Sequence, residues 1–184
     1  RTLHPCQQAG FAGSLLGDQV SPERCGHTGV KEVVARDVAI QRISAAVEAR
    51  RQGADLVIVA RTDARSAFAQ SYGERGALDE ALWRLKAFAD LGADVLFLEA
   101  PRSEEEMLRF CNEVPGKRMA NMLEGGVTPL LLPKQLSAMG FHLVAYPLTL
   151  LASAAFAMRQ AVRDLQKGNT PETMLSFSEL KTLV

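Results

Sequence analysis

The sequence predicts an α/β fold built on a parallel sheet. Short apolar runs alternate with amphipathic stretches along most of its 184 residues. A Gly-Ala-Asp triplet recurs ahead of two of those runs, and polar residues collect at the carboxyl ends of several. Together these observations describe a repeating strand–helix unit, which closes into a parallel sheet through right-handed crossovers.

The runs at residues 56–60 and Val95–Leu98 are short and apolar on both faces, as strands buried in a parallel sheet are. Residues 11–16, 118–121 and 142–146 give the same signal more weakly. Between them, Ile40, Ile43 and Val47 fall at helical spacing, as do Leu78, Leu82 and Leu85. Ser103 followed by Glu106 reads as a capping box ahead of Met107, Phe110 and Val114. Leu148, Leu151, Ala155, Met158, Val162 and Leu165 keep a step of three or four residues throughout a last long helix. Gly53-Ala54-Asp55 and Gly92-Ala93-Asp94 mark points where a helix ends and the chain turns into the sheet. About five such units are countable. Spacing alone leaves a partial barrel and an open doubly wound sheet both possible.

Composition narrows the function. Lys+Arg and Asp+Glu both number 21, so the chain lacks the basic excess of a phosphate-tracking nucleic-acid binder. No glycine-rich phosphate loop is present. The stretch between Lys134 and Arg159 carries no Asp, Glu, Lys or Arg, but Gly140, His142 and Pro147 divide it. It therefore reads as a buried strand and a buried helix rather than a membrane span. Cys6, Cys25 and Cys111 match no zinc or disulfide pattern, which suits a reducing intracellular compartment, the cytoplasm or an organelle such as a plastid. Cys111 lies on an apolar helix stripe and His142 in an apolar strand, so both are expected in the core. The chain opens at Arg1 on what reads as the end of a structural unit, and a fragment or truncated form is expected. Residues 1–184 are expected to make one partial domain, with 168–184 as a tail on its own or a neighbouring barrel.

In a parallel fold, chemistry gathers where strands end. The ends here carry Asp18 and Gln19, then Arg61, Thr62 and Asp63, then Glu99, then Asn121 and Glu124. Arg61 offers a planar fork suited to a carboxylate. Glu99 closes an apolar strand and needs a partner, for which Arg61 is the natural candidate. After Asp18, the segment from Gly17 to Gly29 holds Arg24-Cys25-Gly26-His27 between glycines, more chain than a simple connection needs.

Several stretches together resemble one family. They are Ala9-Gly10-Phe11-Ala12-Gly13, Asp18-Gln19, Arg24-Cys25-Gly26-His27, Ala60-Arg61-Thr62-Asp63-Ala64, Phe97-Leu98-Glu99-Ala100, Ala120-Asn121-Met122-Leu123-Glu124-Gly125-Gly126 and Val144-Ala145-Tyr146-Pro147-Leu148. In content and order they are similar to the isocitrate lyase / phosphoenolpyruvate mutase superfamily, in particular its 2-methylisocitrate lyase and oxaloacetate hydrolase (petal-death-like) branch. The resemblance implies a (β/α)8 TIM-type barrel, of which this chain supplies the last five strand–helix units and a helical tail. It implies a homo-oligomer, a tetramer in the family, that uses Mg2+ or Mn2+ on a small 2-hydroxy- or 2-oxo-dicarboxylate and cleaves a carbon–carbon bond by a retro-aldol step. By motif, Cys25 is the general acid of a gating loop. Arg61 and Glu99 are catalytic, and Gly26, His27, Arg61 and Asn121 bind substrate.

Two positions depart from the family pattern. Gly17 stands where a glutamate of the metal shell is expected, and Glu23 where a lysine is. The paired metal-binding aspartates of the family have no counterpart in the sequence, so the metal ligands are unassigned. The alternatives are a phosphonate-processing mutase and an inactive chain that serves as an oligomer partner.

Overall fold

The computed structural model describes residues 3–22 and 31–183. They divide into two compact units, one up to Ala145 and one from Tyr146 onward.

The first unit is a half-barrel of five parallel strands in sequential order. The strands are β1 (Gly13–Gly17), β2 (Val57–Thr62), β3 (Val95–Leu98), β4 (Lys117–Asn121) and β5 (Leu143–Ala145). Each expected run is a strand, displaced by at most two residues at either end. Helix α1 (Leu3–Gln8) precedes β1. Then α2 (Arg36–Arg51), the short α3 (Ala64–Ala67) with α4 (Ala69–Leu91), α5 (Glu104–Glu113) and α6 (Pro133–Met139) connect successive strands.

Alternation along each strand sorts side chains to two faces. Ile58, Ala60, Leu96, Leu98 and Ala120 turn outward and form the core with the helices. Against them lie Ile43 and Val47 of α2, Leu78, Leu82 and Leu85 of α4, and Met107, Phe110 and Cys111 of α5. The opposite, inner face carries a transverse row fixed by register: Gly17, Arg61, Phe97, Met119 and Leu143 are successive Cα partners across the sheet. Leu15, Val57 and Leu143 on this face are exposed.

The two Gly-Ala-Asp triplets serve different ends. Gly53 and Gly92 both adopt the left-handed conformation, at φ 104° and 101°, which an L-residue with a Cβ resists. Only the second aspartate has a sheet role. Asp94 Oδ2 accepts the Ile58 N–H at 2.8 Å and pairs with Arg50, tying β3 to β2. Asp55 is exposed.

Three local expectations need correction. His142 is exposed just before β5, and its Nδ1 accepts the Arg118 N–H at 3.4 Å, so it is not a core residue. Ser103 caps α5 by accepting the Glu106 N–H, but Glu106 turns its carboxylate to the Arg102 N–H and to Arg65, so the reciprocal half of the box is missing. The second unit holds α7 (Thr149–Gln166) and α8 (Phe177–Thr182), and no described residue of either helix is buried. The stripe expected as a buried helix is therefore exposed, with Leu150 83% accessible. Among the described residues, no helix is long and apolar enough to cross a membrane.

Leu85 is fully buried between α4 and the sheet. Replacing it with alanine should cost about 2–5 kcal/mol, the usual range for a buried leucine that leaves a cavity. Urea unfolding measures this. A cost well under 1 kcal/mol would mean that α4 packs by another face.

Candidate active site

The exit of β2 turns three consecutive side chains to different tasks. Arg61 faces the inner side of the half-barrel, Thr62 faces the helices, and Asp63 folds back against Arg61. The guanidinium holds Asp63 through two bonds, Nε to Oδ2 at 2.8 Å and Nη2 to Oδ1 at 2.9 Å. Glu99, one strand away, brings Oε1 to 3.6 Å from Arg61 Nη2. The Phe97 ring lies beneath, its centroid 5.5 Å from Arg61 Cζ, within cation–π range. Register sets Asp63, Glu99 and Asn121 at one level of three neighbouring strands.

Lys31 completes the cluster, with Nζ 3.7 Å from Asp63 Oδ1. Sequence reasoning gave it no role, because nothing in its neighbourhood marks a buried lysine. Burial pushes the Glu99 carboxyl above the ordinary glutamate range, reinforced by Asp63 and opposed by Arg61 and Lys31. Ala100, directly after it, is a buried non-glycine residue at φ 54°. That left-handed backbone costs about 1–2 kcal/mol and is held by its surroundings.

Behind this rim lies a second network, on the helix side. Asp18, 1% exposed, accepts the Thr62 hydroxyl at 2.6 Å, the Asp63 N–H at 2.9 Å and Arg84 Nη1 at 3.1 Å. Arg84 also donates to the Val34 carbonyl at 2.9 Å and, through Nε, to Glu80 at 2.8 Å. Glu80 is further held by Arg36, whose guanidinium covers the Trp83 ring at 3.9 Å. Burial opposes the ionisation of Glu80, but its two arginines hold its carboxyl below the ordinary range. Burial dominates at Asp18 and raises its carboxyl. The backbone past Asp18 is closed by a Gln19–Val33 bridge and by the Val34 N–H on the Asp18 carbonyl at 2.8 Å.

Of the residues expected in the site, Arg61 and Glu99 are in contact and Asn121 ends the adjoining strand. Cys25, Gly26, His27 and Glu23 lie outside the described residues. Cys111 is in the core, where burial pushes its thiol up to about 11, as a structural cysteine behaves. A cleft of about 510 Å³ between α4 and α5, lined by Glu74, Ser103, Glu106 and Arg109 among others, is remote from this cluster. Its Glu74 and Glu106 are committed to Arg65, so we do not assign chemistry to it.

The residues present do not suit a divalent ion. Asp18 is taken by Thr62, a backbone N–H and Arg84, and Asp63 by Arg61 and Lys31. Among the described residues no three His, Cys, Asp or Glu side chains group as ligands. Gly17, which faces the inner side as the Cα partner of Arg61, offers no ligand atom.

Removing Arg84 leaves two buried carboxylates short of a cation. Arg84→Met should therefore cost about 3–5 kcal/mol, as breaking a buried ion pair does. A loss under 1 kcal/mol in urea titration would show the network to be energetically idle. Glu99 makes a separate prediction. Its folded pKa exceeds its unfolded one, so across that interval the native state binds the extra proton and stability falls as pH rises. Glu99→Gln should flatten this decline above the ordinary glutamate range. Parallel stability–pH curves for the two proteins would refute the direction.

The model of the phosphoenolpyruvate phosphomutase family matches residues 1–166. The chain is 39% identical to 2,3-dimethylmalate lyase of Eubacterium barkeri over 188 aligned positions, covering 100% of this chain and 62% of that protein. It is 38% identical to the petal death protein of Dianthus caryophyllus, covering 100% of this chain and 56% of the relative. The crystal structure of oxaloacetate acetylhydrolase with the inhibitor 3,3-difluorooxalacetate superposes with a TM-score of 0.86 at 35% identity, covering 100% of this chain and 60% of that one. The chain thus spans less than two thirds of the length of these relatives. With a family model across 1–166 and five parallel strands in matching order, the chain belongs to the phosphoenolpyruvate mutase/isocitrate lyase superfamily.

Proposed function

We propose that this sequence contributes the carboxylate-binding and proton-donating part of a carbon–carbon lyase acting on a small 2-hydroxy- or 2-oxo-dicarboxylate. The observation that carries the reading is the Arg61–Asp63–Glu99 cluster at the strand exits, with Lys31 behind it. Relatives named 2,3-dimethylmalate lyase, probable 2-methylisocitrate lyase and oxaloacetate acetylhydrolase support the same chemistry.

In this reading Arg61 takes a substrate carboxylate. Its rigid hold on Asp63 fixes the fork before substrate arrives, so little orientational freedom is lost on binding. In a retro-aldol cleavage the substrate hydroxyl loses a proton and becomes a carbonyl. The electron pair of the broken bond moves to the carbon beside the departing carboxylate. That carbon must then receive a proton, and Cys25 is the assigned donor, with Gly26 and His27 on the substrate carboxylate. Asn121 supplies a donor and an acceptor from the neighbouring strand. Mg2+ or Mn2+, the family's metal, would draw its ligands from outside the described residues, because Asp18 and Asp63 are already held by other groups. We also read the working protein as a homo-oligomer, since the apolar stripe of α7 and Phe177 of α8 are exposed here. A solution mass equal to one chain by light scattering would remove that part.

Oxalate, the product bound in one oxaloacetate acetylhydrolase structure, is the simplest probe. Calorimetry should detect oxalate binding by this chain. Arg61→Lys, which loses the two-pronged geometry, should weaken it by roughly 2 kcal/mol, the scale of a charge-assisted hydrogen bond. The 184-residue chain itself is expected to cleave 2-methylisocitrate or oxaloacetate with Mg2+ slowly or not at all. Restoring Gly17→Glu and Glu23→Lys in a full-length setting should raise turnover. The absence of oxalate binding by the unmodified chain would defeat the reading. Turnover of a phosphonate instead would favour the mutase alternative.

A further inference from the structure

Lys31 follows the Cys25 segment in sequence, yet its side chain is only 1% exposed. The backbone around it is fixed by the Val20 N–H on the Glu32 carbonyl at 2.9 Å and by the Gln19–Val33 bridge. Burying an ammonium is costly, and the cost is met only by a carboxylate close by. Asp63 is that carboxylate, although Arg61 already engages both of its oxygens. Oδ1 thus lies 2.9 Å from Arg61 Nη2 and 3.7 Å from Lys31 Nζ. Two cations share one fully buried anion. A pair that served only to neutralise Asp63 would need one of them.

We propose that Lys31 is a positioning residue for carboxylate recognition. By drawing on Asp63 it leaves Arg61 a larger share of its charge for an anionic group arriving at the strand exits. This inference rests on the assignment of Arg61 to a substrate carboxylate. It reaches beyond that assignment by giving a site role to a residue that touches no substrate. The same ammonium also acts on Glu99, whose charged surroundings are Arg61 and Asp63 from the β2 exit and Lys31 itself.

Four proteins test this: the unmodified chain, Lys31→Met, Asp63→Asn and the double variant. Oxalate affinity is measured by calorimetry, and the Glu99 titration by 13C NMR of labelled glutamate carboxyls, assigned through Glu99→Gln. Lys31→Met should weaken oxalate binding about tenfold, the effect of truncating one partner of a buried charge pair. Lys31→Arg should restore most of that loss. In the Asp63→Asn background, adding Lys31→Met should change affinity less than about twofold, because the influence passes through Asp63. The Glu99 carboxyl should titrate at higher pH in Lys31→Met than in the unmodified chain.

Unchanged affinity in Lys31→Met, or an equal loss in both backgrounds, would overturn the proposal. If Lys31→Met does not fold, the double variant lacks the whole pair and is read against Asp63→Asn, where a difference above about twofold is likewise fatal. Failure of the unmodified chain to bind oxalate would defeat the assignment of Arg61. The Lys31 proposal would then be decided by Glu99, and an unmoved Glu99 titration would overturn it.

Discussion

The Asp18 carboxylate is the constraint on which the rest of the site depends. It receives the Thr62 hydroxyl, the Asp63 N–H and the Arg84 guanidinium, joining the exit of β1 to the exit of β2 and both to α4. A carboxylate so buried is tolerable only with its acceptor positions filled. The backbone of Asp63 is therefore fixed from outside the sheet while its side chain works on the inside. Arg61 inherits that order through two hydrogen bonds. The same guanidinium that serves Asp18 also holds the Val34 carbonyl, so the return of the chain after the Cys25 segment is pinned to the same point.

The inner cluster follows a different logic from the helix-side network. Glu80 has two arginines and is held ionised. Glu99 has one, at 3.6 Å, and shares its surroundings with another anion, so burial prevails and its proton is retained more readily. The two carboxylates lie on opposite sides of one strand exit with opposite shifts. A purely structural ion-pair lattice would push both the same way. The split sets Glu99 apart as the group whose charge is open to change, which is the condition for chemistry rather than for scaffolding.

Much of this was legible in the sequence for a physical reason. Parallel strands are buried on both faces, so 56–60 and Val95–Leu98 announce themselves as continuous apolar runs. Arg61 and Glu99 stand out because each ends such a run with a charge. His142 misled, because an apolar neighbourhood cannot distinguish a strand from the turn leading into it. The stripe of α7 misled differently: periodicity shows that a face seeks cover but not what covers it. Arg84 left a signal that was overlooked. Ala77, Ala81, Arg84 and Phe88 follow one another at steps of four, three and four, and all are buried. An arginine within an apolar stripe, four residues after Glu80, must meet a buried anion, and Asp18 was the unclaimed one. Lys31 left no such mark, since its burial arises from the closing of residues 18–34 upon themselves, a long-range event.

The inner face also ties the electrostatics to the covering of the sheet. Leu15, Val57 and Leu143 are exposed on it, and Arg61 retains 19% of its side-chain surface. A pair of charges about 4 Å apart interacts several times more strongly near a protein surface than in bulk water, and more strongly again as water is excluded. Whatever covers those apolar residues thus strengthens both the hold of Asp63 on Arg61 and the pull of an incoming carboxylate. Only the second gains without opposition, because Asp63 is already shared with Lys31 and already dry. Covering the inner face and binding an anion are therefore coupled events, each favouring the other through the same guanidinium.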